Sequence, residues 1–488
     1  MSYLELLKLA APEAIVVVTA LAVLTIGLTT ARALVLGPIV AVVGIAIAIG
    51  AVLMLPQHAN LFGGMLVISP LNSLFKIICL ALAIATVPLV SSERSLRNAG
   101  EYIAMLLLGS VGLMLLVGSE ELLMIFIGLE LLGLSLYVLA AFDKADIFSA
   151  EAGLKYFLFG STASAFTLFG ISLVYGMSGT TALAAIGQKL AASPVQPLLA
   201  VGIVMTLIGF AFKIAAAPFH LWAPDAYQGA PIPSAAFIAS GSKVASFVVL
   251  GKIVLVGFGP VRGSADWHAM IAGWSPVLAA LAALSILLGN FVALAQTNVR
   301  RLLAYSAVAH GGYTLLGIVA GGREGFSATL FYTSVYAVTL IGAFAVVGAV
   351  RRETGGDNLQ NFSGLAARSP LLAACMAIFF LSLAGLPPLA GFFGKFYLFS
   401  AAFRAGGNHG LLWLVAVALF GSFVSLYYYL IVLKVIFVDK PSESESRHSS
   451  LVTGHFFGNA VIALLATVVL FLGIMPQALA ARIIASLP

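Results

Sequence analysis

The stretch GFAFKIAAAPFHLWAPDAYQGAPIP, residues 209–233, begins like a membrane-spanning helix and then breaks. It contains four prolines together with Lys213, His220 and Asp225. Pro218 has no N–H, and its ring clashes with the carbonyl four residues earlier, so the helix must kink or open there. Backbone groups freed inside a membrane are tolerated only against protein or water. The stretch therefore predicts a broken helix beside a hydrated pocket close to Lys213.

The composition of the whole chain predicts an integral membrane protein. Of its 488 residues, 61% are hydrophobic and 9% are charged, with a mean hydropathy of +1.11. A soluble domain cannot bury that much apolar surface, and a spanning helix needs ~20 mainly apolar residues. We predict an all-α polytopic protein with about fourteen spans, near 12–30, 34–55, 66–90, 101–117, 121–142, 150–176, 198–221, 232–256, 268–294, 299–320, 325–350, 370–400, 410–437 and 455–482.

Several classes of function are disfavoured by what the sequence lacks. Cys79 and Cys375 lie far apart inside spans without metal-ligand spacing, so they are interpreted as small core residues. Phosphate loops, dinucleotide fingerprints and zinc or iron–sulfur spacings are absent. Basic residues are scattered over loops, which disfavours a nucleic-acid partner. We therefore expect no metal site and no cofactor site in this chain.

The distribution of basic residues predicts the orientation. With fourteen spans, one membrane face holds both termini and six Lys and Arg, and the other holds eleven. The positive-inside rule places the richer face in the cytoplasm and both termini outside. The eleven are Arg32, Arg94, Arg97, Lys144, Arg300, Arg301, Arg351, Arg352, Arg368, Lys440 and Arg447.

Two passages of similar construction indicate an internal repeat. The run 153–176 precedes the break at Pro218, and the run 328–348 precedes the break GLPPLAGFFG at 385–394. Two units of five helices would insert from opposite sides, and inverted repeats with paired broken helices are typical of ion and solute transporters. The predicted organisation is 1–100 (three helices), 101–256 (first repeat), 268–437 (second, inverted repeat) and 438–488 (loop and last helix).

Five ionisable residues are predicted within the membrane: Glu130, Lys213, Lys243, His310 and Lys395. A charge at mid-membrane costs ~2.5–3.5 kcal/mol on insertion scales, so a functional role is the default. Burial disfavours the charged form of a lysine and a nearby carboxylate favours it. A lysine beside a break could hold a proton while Glu130 is close and release it when the pair separates. The best interpretation is a proton relay, with Ser, Tyr and water between its members.

Other ionisable residues carry less weight. Lys155 either feeds protons inward or extends to the membrane surface, with equal support for each. Lys76 and Lys252 lie nearer span ends and are expected to extend to that surface. His220 and Asp225 flank the first break; capping of its exposed backbone is the favoured interpretation, and a role in carrying protons stays open.

Four motifs resemble those of the antiporter-like membrane subunits of respiratory complex I. They are GLELLGLSLYVLAAF (128–142), KIAAAPFHLWAPDAYQGAP (213–231), NVRRLLAYSAVAHGGY (298–313) and LSLAGLPPLAGFFGKFYLF (381–399). The resemblance covers most of the chain. The complex has three large antiporter-like subunits, and three features of this sequence favour one of them. They are the DAYQGAP run, a lysine rather than a glutamate at position 395, and an end soon after the last span.

The resemblance implies a fold of fourteen helices with inverted five-helix repeats. It also implies a proton path through Glu130, Lys213, Lys243, His310 and Lys395, with Pro218, Pro387 and Pro388 at the helix breaks. NADH, FMN, iron–sulfur clusters and quinone would be bound by other subunits. The partners would be other membrane subunits, lipid, protons and water, in a bacterial inner membrane.

Two alternatives to a proton-translocating subunit of a redox complex stay open. One is a subunit of a cation/proton antiporter of the multi-subunit sodium/proton type, which shares these motifs. The other is a structural membrane spacer whose buried charges only fix packing.

Overall fold

The protein is almost entirely helical, as the composition predicts. The computed structural model describes residues 3–30, 32–91, 93, 96, 98–192, 196–405, 409–440 and 456–487. The first helices are α1 (Tyr3–Leu9), α2 (Ala11–Thr29), α3 (Ala33–Leu53), α4 (Pro70–Val90), α5 (Ala99–Gly118), α6 (Leu122–Ala140), α7 (Ile147–Ser178) and α8 (Leu183–Ala192). The central helices are α9 (Pro197–Lys213), α10 (Trp222–Gly229), α11 (Ile232–Phe237), α12 (Lys243–Lys252), α13 (Trp274–Leu294), α14 (Val299–Ala320) and α15 (Gly322–Thr354). The last are α16 (Leu365–Arg368), α17 (Pro370–Ala384), α18 (Ala390–Arg404), α19 (Leu412–Phe437), α20 (Phe456–Ile474) and α21 (Gln477–Ser486).

The number of membrane spans depends on how broken helices are counted. Eleven helices in the described part of the chain are long and apolar enough to cross a membrane, or up to twelve if the bent pair formed by α20 and α21 is one span. The apolar helices α9 and α17 have only 17 and 15 residues. Fourteen spans result only if each of these is the first half of a broken span, so the count of fourteen remains a prediction.

The first break lies where Pro218 predicts it. Helix α9 ends at Lys213 and α10 begins at Trp222. Within the opened turn, the Ala217 N–H donates a 2.8 Å hydrogen bond to Ser285 Oγ on α13. The indole N–H of Trp222 donates to the carbonyl of Phe212 at 3.1 Å. Side chains thus replace part of the missing helical hydrogen bonding, and one of them comes from the second half of the protein.

The second break lies between α17 and α18 and includes the predicted Pro387 and Pro388. Gly385, directly after α17, has a φ of +88°, which favours glycine. A Cβ at this position would also lie 2.8 Å from Cδ of Lys395. The N–H of Gly391 donates to Ser382 Oγ at 3.1 Å, which ties the start of α18 back to α17. Both predicted helix breaks are therefore confirmed.

The packing of the two halves supports the predicted repeat. Helix α5 packs on α6, and α13 packs on α14. Helix α7 contacts both α9 and α10, and α15 contacts both α17 and α18. In each half, one long helix therefore holds the two pieces of a broken helix. The division into units at 101–256 and 268–437, and their inverted relation, stay predictions.

A short hairpin was not foreseen from the sequence. Strands β1 (Ala59–Leu61) and β2 (Leu66–Ile68) pair antiparallel. Strand β2 occupies the start of the predicted third span. The helix of that span begins instead at Pro70, and the Ser69 side chain caps it by accepting a 3.2 Å hydrogen bond from the Asn72 N–H. At the other end, α20 and α21 meet at 76°. Part of the predicted unit 438–488 (441–455, with Arg447) and also Arg94 and Arg97 lie outside the described residues.

Candidate proton-relay site

Glu130 and Lys213 line one small cavity. Glu130 is on α6 and Lys213 is the last residue of α9. The cavity has a volume of about 20 Å³, which is room for one water molecule. Ser164 Oγ donates a 2.5 Å hydrogen bond to Glu130 Oε1. Among the described residues, no carboxylate oxygen lies within 4.0 Å of Lys213 Nζ. Glu130 and Lys213 therefore line the same cavity without forming a direct ion pair.

The surroundings of Lys213 leave space for its ammonium group. Gly133 lies three residues after Glu130 on α6, and a Cβ there would be 3.4 Å from Lys213 Nζ. The ring centroids of Tyr137 and Tyr156 are each 5.9 Å from Nζ, at the outer limit of a cation–π contact. The side chain is 5% exposed. Lys213 is thus held among aromatic rings at the end of the broken helix.

Lys243 follows a local distortion of its helix. A π-helical turn spans Ile238–Ser242, directly before Lys243, and such turns are frequent at functional sites. Lys243 Nζ donates to the carbonyl of Ala307 at 2.5 Å. It also lies 5.5 Å from the ring centroid of Tyr336. Because Ala307 precedes His310 by three residues on α14, Lys243 reaches the helix that carries the predicted histidine.

His310 lies between two tyrosine hydroxyls. Its Nδ1 is 2.5 Å from the Tyr332 hydroxyl and its Nε2 is 3.2 Å from the Tyr429 hydroxyl. The Tyr429 hydroxyl is in turn 2.5 Å from Ser306 Oγ. The imidazole is 2% exposed. A histidine bonded at both ring nitrogens can accept a proton at one and release a proton from the other.

Lys395 is the second buried lysine of this region. Its Nζ donates to the Ala384 carbonyl and to Ser422 Oγ, both at 2.9 Å. It lies 5.1 Å from the Tyr313 ring centroid, and that ring is 5.5 Å from the His310 ring. The Ala384 carbonyl is free to accept because α17 ends there. The second break therefore supplies a backbone partner to Lys395.

The predicted residues fall into two groups. Glu130 and Lys213 form one group; Lys243, His310 and Lys395 form the other, connected through tyrosines. No direct hydrogen bond joins the groups within the described residues. Sequence reasoning expected Ser and Tyr between the relay members but did not identify which. The structure identifies five further polar residues around the second group: Asn290, Tyr313, Ser422, Tyr332 and Tyr429. Of these, only Asn290 could have been selected from the sequence, as a lone amide in the apolar ninth span.

Asp225 joins three helices instead of capping the break. It accepts from Lys155 Nζ on α7 and from an Arg301 amino group on α14, each at 2.7 Å. Two basic side chains from different helices therefore bind the Asp225 carboxylate. The expectation that Asp225 caps the opened backbone is therefore wrong. Lys155 is fixed in an ion pair, and its part in proton uptake stays a prediction.

The expectation for Lys76 and Lys252 is wrong, because both are buried. Lys76 is 1% exposed, and its Nζ lies 2.6 Å from Oε1 of Glu13 on α2. Lys252 is 4% exposed and donates to Asn72 Oδ1 at 2.5 Å and to the Val117 carbonyl at 2.7 Å. Position near a span end predicted solvent access, but Lys76 is paired with α2, and Lys252 is bonded to α4 and to the end of α5.

We expect that removing one member of the Glu13–Lys76 pair lowers the stability of the protein more than removing both. The variant Lys76→Met leaves Glu13 buried without its cation, and breaking such a pair costs ~3–5 kcal/mol. The double variant Glu13→Leu with Lys76→Met should regain most of that loss. Thermal unfolding of the detergent-purified protein measures both. A double variant no more stable than Lys76→Met alone would contradict this account.

The described residues include no group of three or more His, Cys, Asp or Glu side chains that could hold a metal ion. Cys79 and Cys375 are free and buried. They belong to the packed core, as the sequence indicated.

Comparison with known proteins defines the family. A family model described as "NADH:quinone oxidoreductase/Mrp antiporter, TM" matches residues 119–425. The chain belongs to this family. Its fold is shared with the Mrp complex from a Dietzia species, at 22% identity and a TM-score of 0.82 over 98% of this chain and 97% of the other.

Within the family, the chain is similar to one kind of subunit. It is 45% identical to the NADH-quinone oxidoreductase subunit N 2 of Acidobacterium capsulatum over 493 residues, which is 98% of each chain. It also matches a chain of respiratory complex I from Thermus thermophilus with 32% identity and a TM-score of 0.79, over 96% of this chain and 98% of that one. The predicted resemblance to one of the three large antiporter-like subunits is confirmed, and in these relatives that subunit is named subunit N.

Proposed function

We propose that this chain is a proton-translocating membrane subunit of a bacterial NADH-quinone oxidoreductase. In this proposal protons pass between Glu130, Lys213, Lys243, His310 and Lys395. Quinone reduction in other subunits drives the transfer. The chain is then part of a translocase but carries out no redox chemistry itself.

The observation that carries the proposal is the arrangement around His310. A buried imidazole is hydrogen-bonded at both nitrogens to hydroxyl groups, and two buried lysines lie beyond the neighbouring tyrosines. A hydroxyl group both donates and accepts, so a proton that arrives at one nitrogen can leave from the other without movement of the ring. A spacer that needed only packing would gain nothing from two buried lysines and a buried imidazole that have no carboxylate partner among the described residues.

The two breaks have matching roles in this scheme. Each ends a helix near a lysine, so carbonyl groups and side chains can adjust around a changing charge. Lys395 donates directly to the terminal carbonyl of α17, whereas Lys213 faces a cavity shared with Glu130. Separation of Glu130 from Lys213 would favour release of the proton, since the carboxylate stabilises the ammonium form.

The same proposal implies where the cofactors bind, which subunits contact this chain and in which membrane it lies. NADH, FMN, iron–sulfur clusters and quinone are bound by other subunits, and other membrane subunits contact this chain in the bilayer. The protein lies in the bacterial plasma membrane with both termini outside. The family resemblance and the apolar helices support the membrane location, and the distribution of Lys and Arg supports the orientation of the termini.

A cation/proton antiporter subunit is the second candidate, because the family model covers Mrp antiporters and the Mrp complex shares the fold. Proteoliposomes that contain the purified chain distinguish the two. We expect an imposed sodium gradient to move no more protons than in protein-free vesicles. Sodium-dependent proton movement that is lost in Lys213→Met would favour the antiporter instead.

A further inference from the structure

Three buried tyrosines lie between the two groups of relay residues. They are Tyr156 on α7, Tyr227 on α10 and Tyr336 on α15, and we call them the tyrosine bridge. At one end, Lys213 Nζ lies 5.9 Å from the Tyr156 ring. At the other end, Tyr336 lies 5.5 Å from Lys243 Nζ. The bridge thus lies between the two groups of relay residues, which no direct hydrogen bond joins in the part of the chain that the structure describes.

The packing of the bridge holds its rings in fixed positions. The Tyr156 ring stacks on Trp222 with centroids 4.2 Å apart and an interplanar angle of 7°. Tyr227 meets the same indole at 6.4 Å and Phe344 at 5.8 Å, edge to face in both cases. The Tyr336 ring is 5.0 Å from the ring of His310. Tyr156 and Tyr227 therefore share contact with the Trp222 indole, and Tyr227 reaches α15, the helix of Tyr336, through Phe344.

The hydroxyl groups of the bridge have no protein partner. All three oxygens are buried and lack a hydrogen bond to any described residue. The three side chains are 0%, 0% and 5% exposed. Buried hydroxyls are normally hydrogen-bonded, and where protein groups do not bond them, ordered water does. Phenylalanine would give the same ring packing, so the packing does not account for these three buried hydroxyl groups.

We propose that the hydroxyls of Tyr156, Tyr227 and Tyr336 bind and orient the water molecules that carry protons between Lys213 and Lys243. This inference rests on the proposed function and assigns the connection that the relay requires. Tyr227, in the middle of the bridge, is a positioning residue: it acts through the water it holds.

The proton transfer balances along the bridge. The ammonium group of Lys213 gives a proton to the nearest water, and each water passes one proton onward. The amine of Lys243 takes up the last proton. Lys213 ends neutral and Lys243 ends charged, and the hydroxyls remain protonated because each both donates and accepts. No oxidant, reductant or other co-reactant is needed.

The test is Tyr227→Phe in the whole membrane complex, which removes one oxygen and keeps the ring. We expect NADH-driven proton pumping in membrane vesicles to fall to about a tenth or less, while the amount of assembled complex stays unchanged. The solvent deuterium isotope effect on pumping should rise, because proton transfer becomes rate-limiting. A purely structural role would not change that isotope effect. Should Tyr227→Phe fail to assemble, Tyr336→Phe replaces it in the same comparison.

Two further variants make the result decisive. Tyr175→Phe, on the same helix as Tyr156 but 54% exposed, should pump like the unchanged protein. Lys213→Met tests the relay itself. If Lys213→Met stops pumping and Tyr227→Phe pumps normally, the bridge is wrong and the proposed function stands. If Lys213→Met pumps normally, the proposed function fails and the bridge fails with it.

Discussion

Replacing Lys213 by methionine is expected to abolish NADH-driven proton pumping while the complex still assembles. Methionine keeps the length and apolar contacts of the lysine stem but cannot hold a proton. Loss of a proton-transfer group typically costs ~10²–10⁴-fold in rate. The side chain stands beside the first break, opposite Glu130, so no other described lysine can replace it in that cavity. The measurement is dye-reported acidification of membrane vesicles after addition of NADH.

The control for Lys213→Met is Lys144→Met, since Lys144 is an exposed lysine in the loop between α6 and α7. It should pump normally. Glu130→Gln is a second variant of the same cavity, and it keeps the hydrogen bond from Ser164 but removes the negative charge. We expect it to lose pumping as well. Normal pumping by both Lys213→Met and Glu130→Gln would instead favour a structural membrane spacer whose buried charges only fix packing.

Lys395→Met is expected to cause a loss of similar size through the other group of residues. Lys395 holds the position next to the second break, and its two hydrogen bonds go to a carbonyl and a hydroxyl rather than to a carboxylate. Without the ammonium group, a proton that leaves His310 has no acceptor on the Tyr313 side. Pumping should fall ~10²-fold or more, measured in the same vesicles and normalised to assembled complex.

Lys434→Met is the matched control, because Lys434 lies exposed in the last turn of α19, the helix that supplies Ser422. A loss in both variants would show that the region responds to any change of charge. Lys395→Arg adds a stringent comparison: it keeps a positive charge but does not release its proton. Full pumping by Lys395→Arg would contradict a proton-carrying role at this position.

Most of the fold could be predicted because membrane spans depend on local composition. Apolar runs, prolines and glycines are visible in the sequence, and both breaks lie where Pro218 and the 387–388 pair predict them. The hairpin Ala59–Ile68 was missed because its second strand, Leu66–Ile68, is as apolar as the helix that follows. A short apolar run does not reveal whether it is strand or helix.

The site could be predicted only as a set of residue types. An ionisable side chain in an apolar span is visible without a structure, so Glu130, Lys213, Lys243, His310 and Lys395 could be selected. Lys76 and Lys252 were misjudged because burial near a span end depends on which other helices cover it. Likewise, the partners Tyr332 and Tyr429 are distant in sequence from His310, and their hydroxyls are brought to it only by packing.

The sequence by itself therefore determined the membrane class, the family, the two helix breaks and the five ionisable residues, because each depends on local composition or on a recognisable motif. The tertiary structure alone decided which of these side chains meet. It placed Lys213 with Glu130, put His310 between two tyrosines and turned Asp225 toward Lys155 and Arg301. For residues 209–233, the break follows from proline chemistry, whereas its connection to the second half depends on Ser285 and the tyrosine bridge. These contacts join residues far apart in sequence, and only the packing of whole helices brings them together.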